Sequence, residues 1–198
     1  MTTFHGLHYD FQAVGEFVAV QWTDPATPLQ IRIETAGVHG VASITTELEA
    51  VFGNTKVTFA VGQAISLHVD GAPDTTLHGG VQAIPDGTLA QLSSGTYQLT
   101  WNTGQAIVVS YHGNDWLDWG VALGPHDGAG SVRGLLGSHS GQGTDFQLPD
   151  GTILHQPLSN EDIVGFYADA WRVSPDGSPV GDSHHPPVTH LTHHDAIL

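Results

Sequence analysis

The sequence contains no cysteine and very little positive charge, and each shortage excludes a class of function. Without cysteine the chain can form no disulfide, bind no zinc through thiolates and use no thiol nucleophile. Four basic residues stand against 20 acidic ones, which gives a formal net charge of −16. Binding to nucleic acid or to an anionic membrane requires clustered lysine and arginine, so neither is an expected partner. An acidic surface favours solubility and can attract divalent cations.

Long apolar segments are also missing. No run of about 18 apolar residues occurs, which predicts that no helix inserts into a membrane. The first residues of the chain lack a basic segment followed by an apolar stretch, so they do not resemble a signal peptide. If the protein is exported, we expect its signal to lie upstream of this chain or to be of another type.

The chain has instead short apolar runs separated by Gly, Pro, Asp or Asn, with 25 Gly and 11 Pro in total. In segment 29–34 apolar and polar residues alternate, which is the period of a half-buried strand. In segment 16–23 the same alternation predicts that Phe17 and Val20 lie on opposite faces. The pattern predicts a β-rich protein with strands over 16–23, 29–34, 42–52, 56–61, 64–69, 80–84, 88–92, 96–101, 106–112 and 117–122.

One segment has helical spacing. Residues 159–173 predict a short amphipathic helix, which Ser159 can cap at its N-terminus. Its aromatic face comprises Ile163, Phe166, Tyr167, Ala170 and Trp171. We therefore expect one β domain over 1–173 and a Pro/His-rich tail or linker over 174–198. The tail histidines can bind metal adventitiously; they are His184, His185, His190, His193 and His194.

Motifs lie at both ends of the predicted domain. The chain opens with TTFHGLHYDF over 2–11, followed by GEF at 15–17. Later, GLLG over 134–137 leads through a Gly-rich loop to DF at 145–146, LPDGT over 148–152 and FYADAWRV over 166–173. In kind and in order these segments resemble von Willebrand factor type D domains, with Leu136 where the eukaryotic members have cysteine.

The resemblance implies an all-β fold: two packed, mainly antiparallel sheets in a sandwich-like arrangement with one short C-terminal α-helix. It also implies an extracellular or cell-surface protein built from several modules, in which such domains mediate assembly and adhesion. We therefore expect a non-enzymatic structural or adhesive module for protein–protein assembly. Its partners would be other protein modules or subunits, and it would require no cofactor.

The resemblance also implies a place for an ion, because members of the family often hold calcium between the opening turn and the Gly-rich loop. The matching positions here are His5, Ser138, Ser140 and Asp145, of which only the last is a carboxylate. Calcium prefers six to eight oxygen ligands, so this set would bind it poorly. His5, His139 and Asp145 would better suit zinc, nickel or copper, although the family's residue at the position of His139 points away from the ion.

Two interpretations of this region therefore stay open: a metal-dependent binding module, or a loop held by hydrogen bonds after loss of the ion. A third alternative is a glycan-binding or glycan-hydrolysing domain. Asp115 and Asp118 flank Trp116 and Trp119, which suggests a sugar platform with an acidic pair. In a strand-rich chain, such a run is more often a strand edge with partly buried aromatic residues.

Overall fold

Alternating apolar and polar residues form two antiparallel sheets. The computed structural model describes residues 1–38, 42–62, 65–73, 77, 80–113, 115–140 and 145–182. Its strands are β1 (Gly15–Trp22), β2 (Leu29–Val38), β3 (Ala42–Phe52), β4 (Thr55–Ala60), β5 (Ser66–Val69), β6 (Ala72–Pro73), β7 (Val81–Ile84), β8 (Gly87–Ser93), β9 (Thr96–Trp101), β10 (Ala106–His112), β11 (Trp116–Ala122) and β12 (Val132–Arg133).

The strands follow one another mostly as antiparallel neighbours. One sheet has seven strands in the order β12, β1, β2, β3, β4, β5, β6, and the other has five in the order β11, β10, β9, β8, β7. The predicted fold class, an all-β sandwich-like arrangement of two antiparallel sheets with one short C-terminal helix, is confirmed. The sequence did not predict β6 and β12, because two residues are too few to show an alternation.

Both sheets contribute aliphatic side chains to one hydrophobic core. Ile31 and Leu48 of the seven-stranded sheet and Leu99 and Ile107 of the five-stranded sheet are fully buried within it. Burial of each such side chain contributes about 1.5–3 kcal/mol. These contacts hold the surfaces of the domain in fixed positions.

Asp127 adds a polar connection between the two sheets. Its carboxylate accepts hydrogen bonds from Trp22 Nε1 of β1 at 2.9 Å and from Gln105 Nε2, just before β10, at 3.1 Å. The backbone N–H of Gly124 donates to the same carboxylate at 2.7 Å. Because a carboxylate can accept several hydrogen bonds, one side chain fixes the long connection between β11 and β12.

β1 departs from the predicted alternation because it contains a β-bulge. Its pairing with β2 shifts register between Val18 and Val20. Phe17 pairs with Ile33 and Val20 with Ile31, so Phe17 and Val20 lie on the face that the two isoleucines share. The prediction that Phe17 and Val20 lie on opposite faces is wrong. One inserted residue reverses the alternation, and no local feature of the sequence marks it.

The C-terminal helix is shorter than predicted and is mostly a π-helix. It covers residues 160–170 and contains a π-helical segment, Asp162–Tyr167, followed by one α-helical turn, Ala168–Ala170. The prediction of an α-helix over 159–173 is right in place but wrong in length and in geometry. Ser159 Oγ accepts a hydrogen bond from the N–H of Asp162 at 3.1 Å, as a capping side chain does. Apolar spacing shows which side packs but does not distinguish an α-turn from a π-turn.

The start of the predicted tail is held against the domain. Within residues 174–182, the N–H of Val180 donates to the carbonyl of Arg172 at 2.9 Å. Arg32 of β2 donates from its guanidinium to the carbonyl of Gly177 at 3.0 Å. The rest of the predicted tail, residues 183–198 with its histidines, lies outside the described residues. None of the helical segments that the structure describes has the length and apolar character needed to cross a bilayer.

Candidate binding surfaces and the predicted ion site

The three motif segments converge on the outer edge of β1. The N–H of Leu135 donates to the carbonyl of Val18 at 3.2 Å, and the N–H of Val18 donates to the carbonyl of Trp171 at 2.8 Å. The opening segment joins them, because the N–H of Phe4 donates to the carbonyl of Leu136 at 3.0 Å. The segments that resemble the type D family therefore form one structural unit that covers this edge.

Two buried tyrosines hold this unit together. Tyr9 donates from its hydroxyl to the carbonyl of Leu135 at 2.7 Å, and Tyr167 donates to the carbonyl of Gly134 at 2.8 Å. Burial raises the pKa of both phenols above the usual value for tyrosine. Both therefore stay neutral and act as hydrogen-bond donors to the backbone, which is a structural role.

The predicted ion site lies where the opening segment meets the Gly-rich loop. His5 Nδ1 lies 3.2 Å from Asp145 Oδ1, and the Asp145 residue is only 6% exposed. The Tyr167 hydroxyl, which donates to the Gly134 carbonyl, also lies 3.2 Å from the backbone carbonyl oxygen of Asp145. The structure thus brings together two of the predicted site residues, which are 140 positions apart in the chain.

His139 lies beside this pair rather than pointing away from it. Its ring stacks near that of His5, with 6.5 Å between centroids and 21° between planes. His139 Nδ1 is buried and has no hydrogen-bond partner in the part of the chain that the structure describes. Ser138 is buried and Ser140 is half-buried in the same segment. His139 thus lies near the pair of His5 and Asp145, whereas Ser138 and Ser140 line a different pocket, together with Gln147 and Gly151.

The donor atoms fit calcium poorly and suit a transition metal only in part. Asp145 is the only carboxylate among the five predicted site residues, and an imidazole nitrogen is not a preferred calcium ligand. Within the described ranges, no three His, Asp or Glu side chains converge as metal ligands do. For His5 and His139 to share an ion, a ring nitrogen of each would need to lie about 2.0–2.1 Å from it, and their ring centroids are 6.5 Å apart.

A row of glutamates crosses the outer face of the seven-stranded sheet. Glu16 pairs with Glu34, and Glu34 pairs with Glu47, on three adjacent strands. Nearby, Glu49 is buried and forms salt bridges to Arg32 at 3.1 Å and to Lys56 at 2.5 Å. Like charges directly opposite one another destabilise a sheet, and only part of this negative charge has a basic partner.

We expect Glu47→Gln to stabilise the protein. Burial raises the pKa of Glu47, and the neighbouring carboxylates of Glu34 and Glu49 raise it further. Because the folded state disfavours the charged form, the gain should be complete near pH 7 and should disappear as the pH falls to the ordinary glutamate pKa of about 4.3. Removal of one repulsive pair contributes about 0.2–1 kcal/mol, or an increase in Tm of about 1–4 °C.

Thermal melts of the two proteins between about pH 4 and pH 7 measure this difference. Glu161→Gln is the matched control, because Glu161 is exposed at the start of the C-terminal helix. A Glu47→Gln protein that melts below the wild type near pH 7 would show that the glutamate row is stabilising instead.

The outer face of the five-stranded sheet has the opposite character. Asp118 is the only Asp, Glu, Lys or Arg in its five strands, and His112 pairs with it at 2.8 Å. Apart from Asp118 and His112 the face presents uncharged side chains, and several exposed apolar ones lie on it: Val81 is 73% exposed, Leu92 56% and Val108 37%. The acidic surplus of the chain therefore lies elsewhere on its surface.

The two tryptophans of the suggested sugar platform lie on opposite faces of β11. Trp116 pairs with His112 and stacks on its ring at 5.2 Å, on the exposed side of the sheet. Trp119 points the other way and donates from Nε1 to Thr45 Oγ1 of β3 at 3.2 Å. The two rings therefore do not form one flat platform, and a sequence run of this kind cannot show that separation without the strand assignment.

Comparison with known proteins does not assign the chain to a family, because no protein-family model and no curated protein sequence matches it. The fold and the surface define a class of protein: an acidic all-β domain of two sheets, in which one sheet face is nearly uncharged. The resemblance to type D domains rests on the motif segments that meet at the edge of β1.

Proposed function

We propose that this chain is a non-enzymatic structural or adhesive module that binds other protein modules or subunits. The proposal places it at the cell surface or outside the cell, as the type D resemblance implies. The observation that carries it is the nearly uncharged, partly apolar outer face of the five-stranded sheet in a chain of net charge −16. Cores of protein–protein interfaces are depleted of charged residues, because burial of an unpaired charge is costly.

The face is also a rigid surface. Val108 is exposed on β10, the strand next to β11, whereas its neighbours Ile107 and Val109 point inward and are fully buried. Five strands spaced about 4.8 Å apart make a face about 24 Å across, which suits one partner domain. A preformed flat surface loses little conformational freedom on binding, which favours affinity.

The test is Val108→Glu, which places a charge on the outer face of the sheet at β10. Val14→Glu is the matched control, because Val14 is also exposed, at 53%, but lies outside the five-stranded sheet. Labelled wild type and both variants are applied to an array of extracellular proteins and glycans. We expect the wild type and Val14→Glu to bind the same proteins, and Val108→Glu to bind them at least about tenfold more weakly, or about 1.4 kcal/mol.

Three outcomes would contradict the proposal. One is binding to no protein on the array, and another is protein binding that Val108→Glu leaves unchanged. The third is binding only to glycans, which would favour the alternative of a glycan-binding domain. Release of sugar from a bound glycan would in turn favour an enzyme.

A metal-dependent binding module is the second candidate, favoured by the contact between His5 and Asp145 and by the buried, unpartnered Nδ1 of His139. If zinc, nickel or copper binds there, metal at about 100 times its Kd stabilises the folded state by about 2.7 kcal/mol. We then expect a rise in Tm of about 5–10 °C.

His5→Ala should abolish this rise, whereas His8→Ala should keep it, because His8 is exposed and contacts Thr2 instead. Thermal melts with and without metal and chelator, together with elemental analysis, measure the effect. An equal rise in both variants would place the metal elsewhere, and stoichiometric calcium would show that the serine hydroxyls and backbone oxygens suffice.

A further inference from the structure

A groove of about 840 Å³ runs along the edge of β11. It is lined by residues 116–121 of that strand, by residues 1–4, by residues 43–45 of β3 and by Leu136. Successive residues of a strand point to opposite faces, so a cavity over one face would touch every second residue. Since six consecutive residues of β11 line this groove, it follows the hydrogen-bonding edge of the strand rather than either face.

In the described part of the chain no strand pairs with that edge of β11, although β3 lies close by and Trp119 Nε1 donates to Thr45 Oγ1 of β3 at 3.2 Å. β11 is an outermost strand, paired on one side with β10 in an unbroken register from Ala106↔Ala122 to His112↔Trp116. In such a strand alternate N–H and C=O groups point outward. Among the described residues, no backbone group outside β10 hydrogen-bonds to residues 116–122.

β11 is the longest of the four outermost strands, because β12, β6 and β7 have two, two and four residues. The outer edge of β1 is covered by residues 132–136 and 171–173, and β6 has only two residues. Proteins protect edge strands with lysine, proline, bulges or short length. β11 has seven residues in regular register and contains neither lysine nor proline.

The walls of the groove define what would fit beside this edge. Phe4, Ile44 and Trp119 are partly buried apolar residues of its lining, and Asp118 is its only ionisable side chain. Asp118 is 68% exposed, so its charge acts at the mouth of the groove. With a net charge of −16 behind it, the groove favours a neutral or basic occupant over an acidic one.

We infer that this groove binds an extended segment of a protein partner, which adds to β11 as a further antiparallel or parallel strand. Its backbone would hydrogen-bond to the outward groups of β11, and alternate apolar side chains would pack on Phe4 and Ile44. Basic residues of the segment would lie near Asp118. The inference rests on the proposed function, because it names the class of partner and the binding mode of an assembly module.

The experiment selects random peptides of about nine residues, displayed on phage, against the whole chain. We expect the enriched peptides to alternate apolar with polar or basic residues and to lack proline and clustered acids. Methylation of alternate backbone nitrogens on the edge that faces β11 should abolish binding, because it removes the donors that pair with the strand.

Ile44→Lys tests whether the selected peptides bind in the groove. It puts a long cationic side chain into the groove from β3, away from the outer face that contains Val108. Ile153→Lys is the matched control, because Ile153 is 38% exposed and lies outside the groove. We expect Ile44→Lys to weaken binding of the selected peptides at least about tenfold and Ile153→Lys to leave it unchanged.

The inference is overturned if no peptide is enriched, if enriched peptides show helical spacing, or if they bind Ile44→Lys as tightly as the wild type. Failure here is separable from failure of the proposed function. If array partners are lost in Val108→Glu but kept in Ile44→Lys, the module binds proteins through its sheet face and the groove is not the site. If both variants keep every partner, neither surface is used.

Discussion

Gly134→Ala is expected to destabilise the protein by about 2–6 kcal/mol, a large part of the 5–15 kcal/mol that stabilises a typical domain. Gly134 has a φ of +143°, a conformation that side-chain-bearing residues rarely adopt. A Cβ at this position would lie 2.4 Å from the carbonyl oxygen of Ala19 and 2.9 Å from Cα of Val20. The backbone cannot easily retreat, because the Ala19 carbonyl accepts a hydrogen bond from Leu136 at 3.1 Å.

Gly130→Ala separates the two causes of this loss of stability, which are the positive φ and the close contact of the added Cβ with β1. Gly130 also has a positive φ, of +77°, but a Cβ there would meet nothing within 4 Å. It should therefore show only the cost of the left-handed backbone, about 1–2 kcal/mol. Urea unfolding of both variants and the wild type gives the free energies directly. Similar losses in the two variants would mean that the packing of residues 134–137 against β1 contributes little.

The sequence predicts the fold class because each strand carries its own signal. Alternation in segments such as 29–34 requires no knowledge of the partner strand, and β2, β3, β9 and β10 all occur where that period predicts them. The bulge between Val18 and Val20, in contrast, has no such signal in its own segment. It depends on how β1 pairs with β2 and on which segments cover the other edge of β1. The covering segments, around Leu135 and Trp171, lie more than 100 positions away.

The sequence predicts a contact between two residues of the candidate site but does not predict the surfaces of the molecule. His5 and Asp145 meet as the motif order implies, although 140 positions separate them. The groove along β11 cannot be inferred from the sequence, because it needs both the order of strands in the sheet and the position of residues 1–4. One signal was available: the five strands of the smaller sheet contain a single charged residue, Asp118, in a strongly acidic chain.

Trp171→Ala is expected to cost about 3–5 kcal/mol, because it removes the largest fully buried side chain of the C-terminal helix region. Trp171 donates from Nε1 to the carbonyl of Gln147 at 3.0 Å, and its own carbonyl accepts from Val18 of β1. The substitution leaves a cavity where the last motif meets the sheet. It also leaves the carbonyl of Gln147 without the donor that Trp171 supplies. The Tm should fall by roughly 6–20 °C.

Trp116→Ala is the control for this change, since Trp116 is 38% exposed at the edge of β11 and should cost about 1 kcal/mol or less. Thermal and urea unfolding measure both variants. If Trp171→Ala were as mild as the control, the motif that ends the domain would not hold the sheet. Its similarity to type D domains would then need another cause. A large loss confined to Trp171→Ala assigns that motif to the stability of the scaffold.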